Sequence, residues 1–156
     1  MKIKLIVVGD FSQTYLREAT QVFEKRLKHY VAFETWIIKP FKPGDGGRPE
    51  VFALKEGEAI SSKISKGDFV VVLDEKGKSL SSAGMAGFLA QLMNQSVRSI
   101  VFVIGGAYGI SDELKKKADL LLRLSDMTLT HEMARLFFIE QLYRAHTIIR
   151  NEKYHH

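Results

Sequence analysis

The segment Ser99-Ile100-Val101-Phe102-Val103-Ile104 is apolar, short and rich in β-branched residues, and it stops abruptly at Gly105-Gly106-Ala107-Tyr108-Gly109. A run of that length and composition reads as a central strand buried on both faces, with glycines at its carboxyl end that free the backbone for a close approach. Asp68-Phe69-Val70-Val71-Val72-Leu73-Asp74 is a second such strand, and Lys2 to Gly9 a third. Phe33 to Lys39 and Asp119 to Leu124 complete the set of predicted strands. Ligands of open α/β sheets sit outside the carboxyl ends of the strands, so the glycine turn is the first place to look for a site.

Helical periodicity fills the intervals. Ser12 is placed to cap a helix reaching His29, on which Tyr15, Leu16, Ala19, Val22, Phe23, Leu27 and Tyr30 share a face. Glu50 to Lys66 predicts a second helix with Val51, Leu54, Glu58, Ile60 and Ile64 on its inner face and Gly67 as its stop. Ser81 or Ser82 starts a third, carrying Met85, Phe88, Leu89, Leu92 and Met93, and Ser111 caps a short fourth through Ala118. The last, His131 to Arg150, is apolar almost all round, so it must be covered on two sides, by its own sheet and by a second copy of the chain. Strands alternating with helices predict an α/β fold, a parallel sheet flanked by helices. With 156 residues, 46% of them hydrophobic, a single domain over 1–156 is expected. All three prolines fall between Pro40 and Pro49, which reads as an open surface loop within that domain.

The absence of cysteine removes disulfides, thiolate metal sites and thiol nucleophiles and fits a reducing cytoplasm. The apolar run after Met1 is too short for a signal peptide or a membrane span. A net charge of +5 permits a polyanionic partner such as RNA without requiring one.

Leu73-Asp74 and Ser125-Asp126-Met127-Thr128-Leu129 end the two strands expected to flank the glycine turn, so three loops converge at one sheet edge. The glycine spacing is GGxxG with no following Lys-Ser/Thr, which excludes a phosphate-cradling loop or a dinucleotide fingerprint. Apolar Leu and Met side chains beside open backbone groups suit a flat adenine better. His131, Glu132 and Arg135 share a helical face but lack a second histidine, so no metal site is expected. No nucleophile elbow is present.

Taken in order, several segments resemble those of one family. They are Met1-Lys2-Ile3 through Val8-Gly9, Lys55-Glu56-Gly57-Glu58, Val72-Leu73-Asp74 with Gly77-Lys78, and Phe102 through Gly109. The resemblance continues in Leu124 through Leu129 before His131, in Glu140-Gln141-Leu142-Tyr143-Arg144-Ala145, and in Tyr154-His155. The chain resembles, over its whole length, the small SPOUT-class methyltransferases that methylate N3 of a pseudouridine in 23S ribosomal RNA. The resemblance implies a trefoil-knotted α/β fold, a homodimer, a ribosomal RNA substrate in the cytoplasm, and S-adenosylmethionine as cofactor. It places that cofactor against Leu73, Gly105, Leu124, Ser125, Asp126, Met127, Thr128 and Leu129. Two departures stand out: Thr130 where the family has proline, and Asn151-Glu152-Lys153 before Tyr154-His155, with His156 in place of a base.

Methylating an imino nitrogen requires loss of its proton, and histidine is the side chain whose ordinary pKa suits a base near neutrality. His155 and His131 are both candidates, with Arg144 as a further catalytic residue. Arg135, Tyr154 and His156 are the expected RNA contacts, Tyr154 by stacking on a base splayed from its loop. The alternative is a catalytically inactive ribosome- or RNA-binding module of the same fold. A nucleotide hydrolase would need a lysine after the glycines, where Ser111-Asp112-Glu113 stands.

Overall fold

A computed structural model describes residues 1–41 and 48–155. The expected loop between Pro40 and Pro49 falls mostly outside the described residues, as does His156. The chain alternates β1 (Lys2–Val8), α1 (Thr14–Leu27), β2 (Ala32–Ile38), α2 (Pro49–Ser61), β3 (Phe69–Ser79), α3 (Ser82–Asn94), β4 (Ser99–Ile104), α4 (Asp112–Lys117), β5 (Leu120–Arg123) and α5 (His131–Ile149). The strands form one sheet in the order β2-β1-β4-β3-β5, and every pairing is parallel.

The strand chosen from sequence is at the centre of that sheet. Along β4, Ile100, Phe102 and Ile104 enter the core beneath α1, α3 and α5, while Val101 and Val103 enter the one beneath α2 and α4. Two-residue alternation with both faces apolar is what a strand covered on both sides requires. Phe138 of α5 packs on Phe102 with ring centroids 4.7 Å apart. With Ile139, Leu142 and Ala145 fully buried beside it, this contact docks α5 on the sheet, each large side chain contributing roughly 1.5–3 kcal/mol.

Four local expectations are corrected. Ser12 does not cap α1; Gln13 occupies that position without a side-chain cap bond, and the Ser12 hydroxyl donates to Glu132 Oε1 at 2.6 Å. A tertiary acceptor has outcompeted the local one. On α2 the inner face is Phe52, Ala53, Glu56, Gly57 and Ile60, and Val51 and Leu54 are exposed. Hydrophobic periodicity fails there because a carboxylate and a glycine hold inward positions, Gly57 pressed against Ser111. That helix also ends at Ser61, short of Gly67. Finally β3 runs past Asp74 to Ser79, its pairing with β5 shifting register between Leu73 and Lys78. A Cβ on Gly77 would come within 2.6 Å of the Leu121 and Leu122 backbone, so only glycine allows that approach.

Ser81, Ser111 and Thr130 cap α3, α4 and α5 through Gly84, Leu114 and Met133 amides. On the side of α5 away from the sheet, Met133 and Phe137 are exposed, as is Tyr15 of α1. No helix among the described residues is long and apolar enough to cross a membrane.

His146 of α5 is buried against Tyr30, with no hydrogen-bond partner for Nε2 among the described residues. Burial, and then the nearby Arg150 charge, push its pKa down from 6.5 to about 4. The folded state therefore prefers neutral His146. Its contribution is intact above pH 6.5 and is lost as pH falls toward 4, amounting to about 2 kcal/mol between pH 7 and 5. Urea unfolding at those two pH values is expected to show this loss in the native protein and its absence in His146→Leu. Equal pH slopes in the two proteins would contradict the assignment.

Candidate active site

The carboxyl ends of β3, β4 and β5 and the first turn of α5 enclose a cleft of about 1130 Å3. Leu73 and Asp74, the glycine turn, Leu124 through Thr130, and Ser12, Gln13, Tyr15 and Leu16 near the start of α1 all line it. Every residue expected from sequence to hold the cofactor lines this one space: Leu73, Gly105, Leu124, Ser125, Asp126, Met127, Thr128 and Leu129.

The glycine turn folds tightly upon itself. The Gly109 amide donates to the Gly106 carbonyl at 3.1 Å, and Gly109 adopts φ +77°, a conformation that favours glycine. A Cβ on Gly105 would lie 2.6 Å from Ile110 Cγ1 and 2.8 Å from the Gly109 carbonyl oxygen. These glycines are thus required by the turn's own packing, and they leave its cleft-facing side as bare backbone. Tyr108 rests on Phe52 of α2, centroids 5.2 Å apart, which pins the turn from behind.

The other two loops are held by charge. Burial alone would raise the Asp74 carboxyl, but the Lys115 ammonium at 2.6 Å and the Lys76 amide at 2.9 Å outweigh it and hold the pKa below its ordinary value. Arg123 reaches Asp126 at 2.7 Å, and the Ser125 hydroxyl accepts the Met127 amide at 2.9 Å, so the loop turns back and projects Met127, 80% exposed. Glu132 accepts from the Ser12 hydroxyl and from the Ser12 and Gln13 amides, which holds its carboxyl below the usual range and ties the start of α1 to the start of α5.

His131 lies in the wall of the cleft at the first position of α5. Arg135, one turn on, is only 8% exposed. Its guanidinium lies 4.2 Å from the centre of the Phe11 ring and 3.9 Å from Asp10 Oδ1, and Nε has no partner among the described residues. Burial pushes its pKa down. The structure therefore places Arg135 under the site beside His131 rather than on an open surface.

Arg144, Tyr154 and His155 are elsewhere. Tyr154 packs edge-on against Tyr143, centroids 4.7 Å apart, and lies under the Arg144 guanidinium at 4.7 Å. The helix ends in a Schellman turn: the Asn151 amide donates to the Ile148 carbonyl and the Glu152 amide to the Thr147 carbonyl, with Asn151 at φ +55°. Asparagine thus serves at a left-handed position, which it tolerates better than most residues. From His131 to Arg150 the helix advances about 28 Å at 1.5 Å per residue. The five residues from Arg150 to His155 span at most about 17 Å fully extended. With Tyr154 folded back onto the Glu140 and Arg144 turns, about 14–20 Å along the axis from His131, the tail of the same chain lies away from the cleft in this arrangement.

Sequence reasoning missed Glu56. It is 2% exposed, accepts the Phe41 amide at 3.1 Å, and aims Oε2 at the back of Gly106. Burial raises its pKa. An acid in a helix interior gives no sequence signal of burial, so only the fold reveals it.

Comparison with known proteins agrees with this geometry. The family described as "Predicted SPOUT methyltransferase" matches residues 1–155. The chain is 48% identical to "Ribosomal RNA large subunit methyltransferase H" of Syntrophotalea carbinolica over 155 residues, covering 99% of each chain. It is 44% identical to the protein of that name from Christiangramia forsetii, covering 100% of this chain and 99% of the relative. The solved structure of a "Probable Methyltransferase" from Bordetella pertussis Tohama I shares the fold, with TM-score 0.57 and 12% identity over 92% of this chain and 95% of that one. These full-length matches make the chain a methyl-transferring enzyme built on a parallel α/β sheet with a cleft at its carboxyl edge. The chain belongs to the SPOUT methyltransferase family.

The packing of the turn makes a direct forecast. Gly105→Ala forces the Ile110 side chain and the Gly109 backbone apart and is expected to cost about 1–3 kcal/mol in denaturant unfolding. Unchanged stability would mean that the turn has room the structure denies it.

Proposed function

We propose that this enzyme transfers a methyl group from S-adenosylmethionine to N3 of a pseudouridine in ribosomal RNA of the large subunit, acting as a homodimer in the cytoplasm. The observation that carries the reading is the single cleft that gathers Leu73, Gly105 and Leu124 through Leu129, together with full-length relatives named for methylating large-subunit ribosomal RNA. In keeping with the family, the chain is read as a trefoil knot at the loops that line this cleft.

The cleft fits an adenosine. Leu73, Ile104, Leu124 and Leu129 offer apolar walls, and the bare backbone of Gly105 leaves room for a flat ring while its polar groups and those of 124–129 can read the base edges. Bound there, S-adenosylmethionine supplies an electrophilic methyl on a sulfonium. The remaining work falls to this chain: holding the uracil ring so that N3 faces that methyl, and taking the N3 proton so that a lone pair is available.

These tasks are divided between two copies in our reading. His131 stands at the cleft, whereas Tyr154 is held on the Glu140 and Arg144 turns of α5 with His155 after it, away from the cleft of its own chain, so the completing tail is taken to come from a second chain. The exposed Tyr15, Met133 and Phe137 beside the cleft give that second chain an apolar surface to cover. In this arrangement His155 from one copy accepts the N3 proton at the cleft of the other, beside its His131. Tyr154 stacks on the target base, held under the Arg144 guanidinium. A net charge of only +5 is suited to a large preformed surface, which favours the assembled ribosome as substrate.

Nucleoside mass spectrometry of ribosomal RNA from cells lacking the protein is expected to lose one methylated pseudouridine. An unchanged pattern would overturn the reading. Calorimetry separates the enzyme from an inactive module of the same fold: the enzyme binds S-adenosylmethionine, and a module that only docks on RNA gives no heat. With the purified enzyme, His155→Ala is expected to slow methyl transfer to ribosomes by roughly 10²–10⁴-fold. Wild-type rates at all pH values would remove His155 from the mechanism.

A further inference from the structure

Both the resemblance and the cleft geometry leave Glu140 without a task, although it lies midway along α5 and, among the described residues, gathers more donors than any other side chain near the tail. Its Oε1 accepts from Arg144 Nε at 3.1 Å, Arg144 Nη2 at 2.6 Å and the Tyr154 hydroxyl at 3.0 Å. Its Oε2 accepts from Gln141 Nε2 at 2.7 Å, and Gln141 Oε1 in turn accepts from the Ser82 hydroxyl of α3 at 2.7 Å. Hydrogen bonds to a charged acceptor are the stronger kind, and here two of them and the tyrosine's converge on one oxygen.

The consequence is mechanical. Tyr154 is held at its hydroxyl by Glu140, on its face by Arg144 and at its edge by Tyr143. Two of those three grips depend on the Glu140 carboxylate, because the same oxygen orients the Arg144 guanidinium over the ring. A second tether acts nearer the helix end, where the Tyr30 hydroxyl donates to Glu152. The residue following Tyr154 is His155, so whatever fixes Tyr154 fixes the origin of His155. Arg144, occupied by Glu140 and Tyr154, is not a free cation in this arrangement.

We infer that Glu140 is a positioning residue: through Arg144 and the Tyr154 hydroxyl it clamps the tail in the pose from which Tyr154 and His155 act on the RNA base. The inference deepens the proposed function, since it rests on the tail's serving at the substrate. Glu140 itself touches neither substrate nor cofactor. Its role separates from general stability because the clamp sits on the outer side of α5, while Phe138, Ile139, Leu142 and Ala145 make the core contact.

The test compares Glu140→Leu, Glu140→Gln and His155→Ala in the full-length protein. Tail exposure is read by carboxypeptidase trimming, and single-turnover methyl transfer by ribosomes that lack the modification. Glu140→Leu is expected to accelerate trimming about tenfold, the equivalent of one lost charge-assisted hydrogen bond. It is expected to slow methyl transfer about a hundredfold, as for a misplaced catalytic group, with S-adenosylmethionine affinity unchanged within twofold. Glu140→Gln keeps an oxygen for the Tyr154 hydroxyl and is expected to recover most of both losses. Trimming at the native rate in Glu140→Leu would overturn the clamp, as would equal loss of turnover in the Gln and Leu variants, which would point to the charge rather than the placement. Failure of the function reading looks different: His155→Ala then retains full turnover. If His155→Ala is slow and Glu140→Leu is not, the base assignment stands and the clamp falls.

Discussion

The docking of α5 on the sheet is the constraint on which the rest of this enzyme depends. Phe138 on Phe102, with Ile139, Leu142 and Ala145, fastens a helix of 19 residues across the core. Its first turn completes the cleft with His131, and the tail that follows it folds back so that Tyr154 rests on Glu140 and Arg144. Held there, Tyr154 stays about 14–20 Å along the helix from His131 of the same chain. What one copy lacks at its cleft, a second copy can bring.

Polar groups buried or half-buried at the ends of elements hold the loops in place around that frame. Asp74 with Lys115 ties the end of β3 to α4, Glu132 ties α5 to the chain leaving β1, and Glu56 braces the segment at Phe41 from behind the glycine turn. At the opposite sheet edge, Lys4 and Asp68 pair at 3.1 Å with both side chains nearly buried. Removing one member of such a pair strands its partner's charge, so these contacts specify geometry more than they add stability.

The strands were the most readable part of the sequence. Ile100 to Ile104 and Val70 to Leu73 have no polar face to offer, and a strand covered on both sides is the one arrangement that tolerates this. The convergence of Leu73, the glycine turn and Ser125–Leu129 follows from parallel order alone. Residues whose partners lie far away in sequence were unreadable. Ser12 looked like a cap because nothing local announces Glu132, 120 residues on. Val51 and Leu54 drew the inner face of α2 to the wrong side because Glu56 and Gly57 are buried for close approach, not for hydrophobicity. Arg135 looked available for RNA because burial under Phe11 is a tertiary fact. The four-residue spacing of Glu140 and Arg144 was visible, but that Tyr154 joins them depends on the turn at Asn151.

The central claim is that one site is made from the cleft of one copy and the tail of another. Mixing subunits tests it most directly: Thr128→Trp, which fills the cleft, is combined with a chain lacking Tyr154 and the residues after it, each inactive alone. After random exchange half the dimers are mixed and one of their two sites is complete, so methyl transfer is expected to return to about a quarter of the native rate. No recovery after verified exchange would contradict the account, because it would mean that cleft and tail must belong to the same chain.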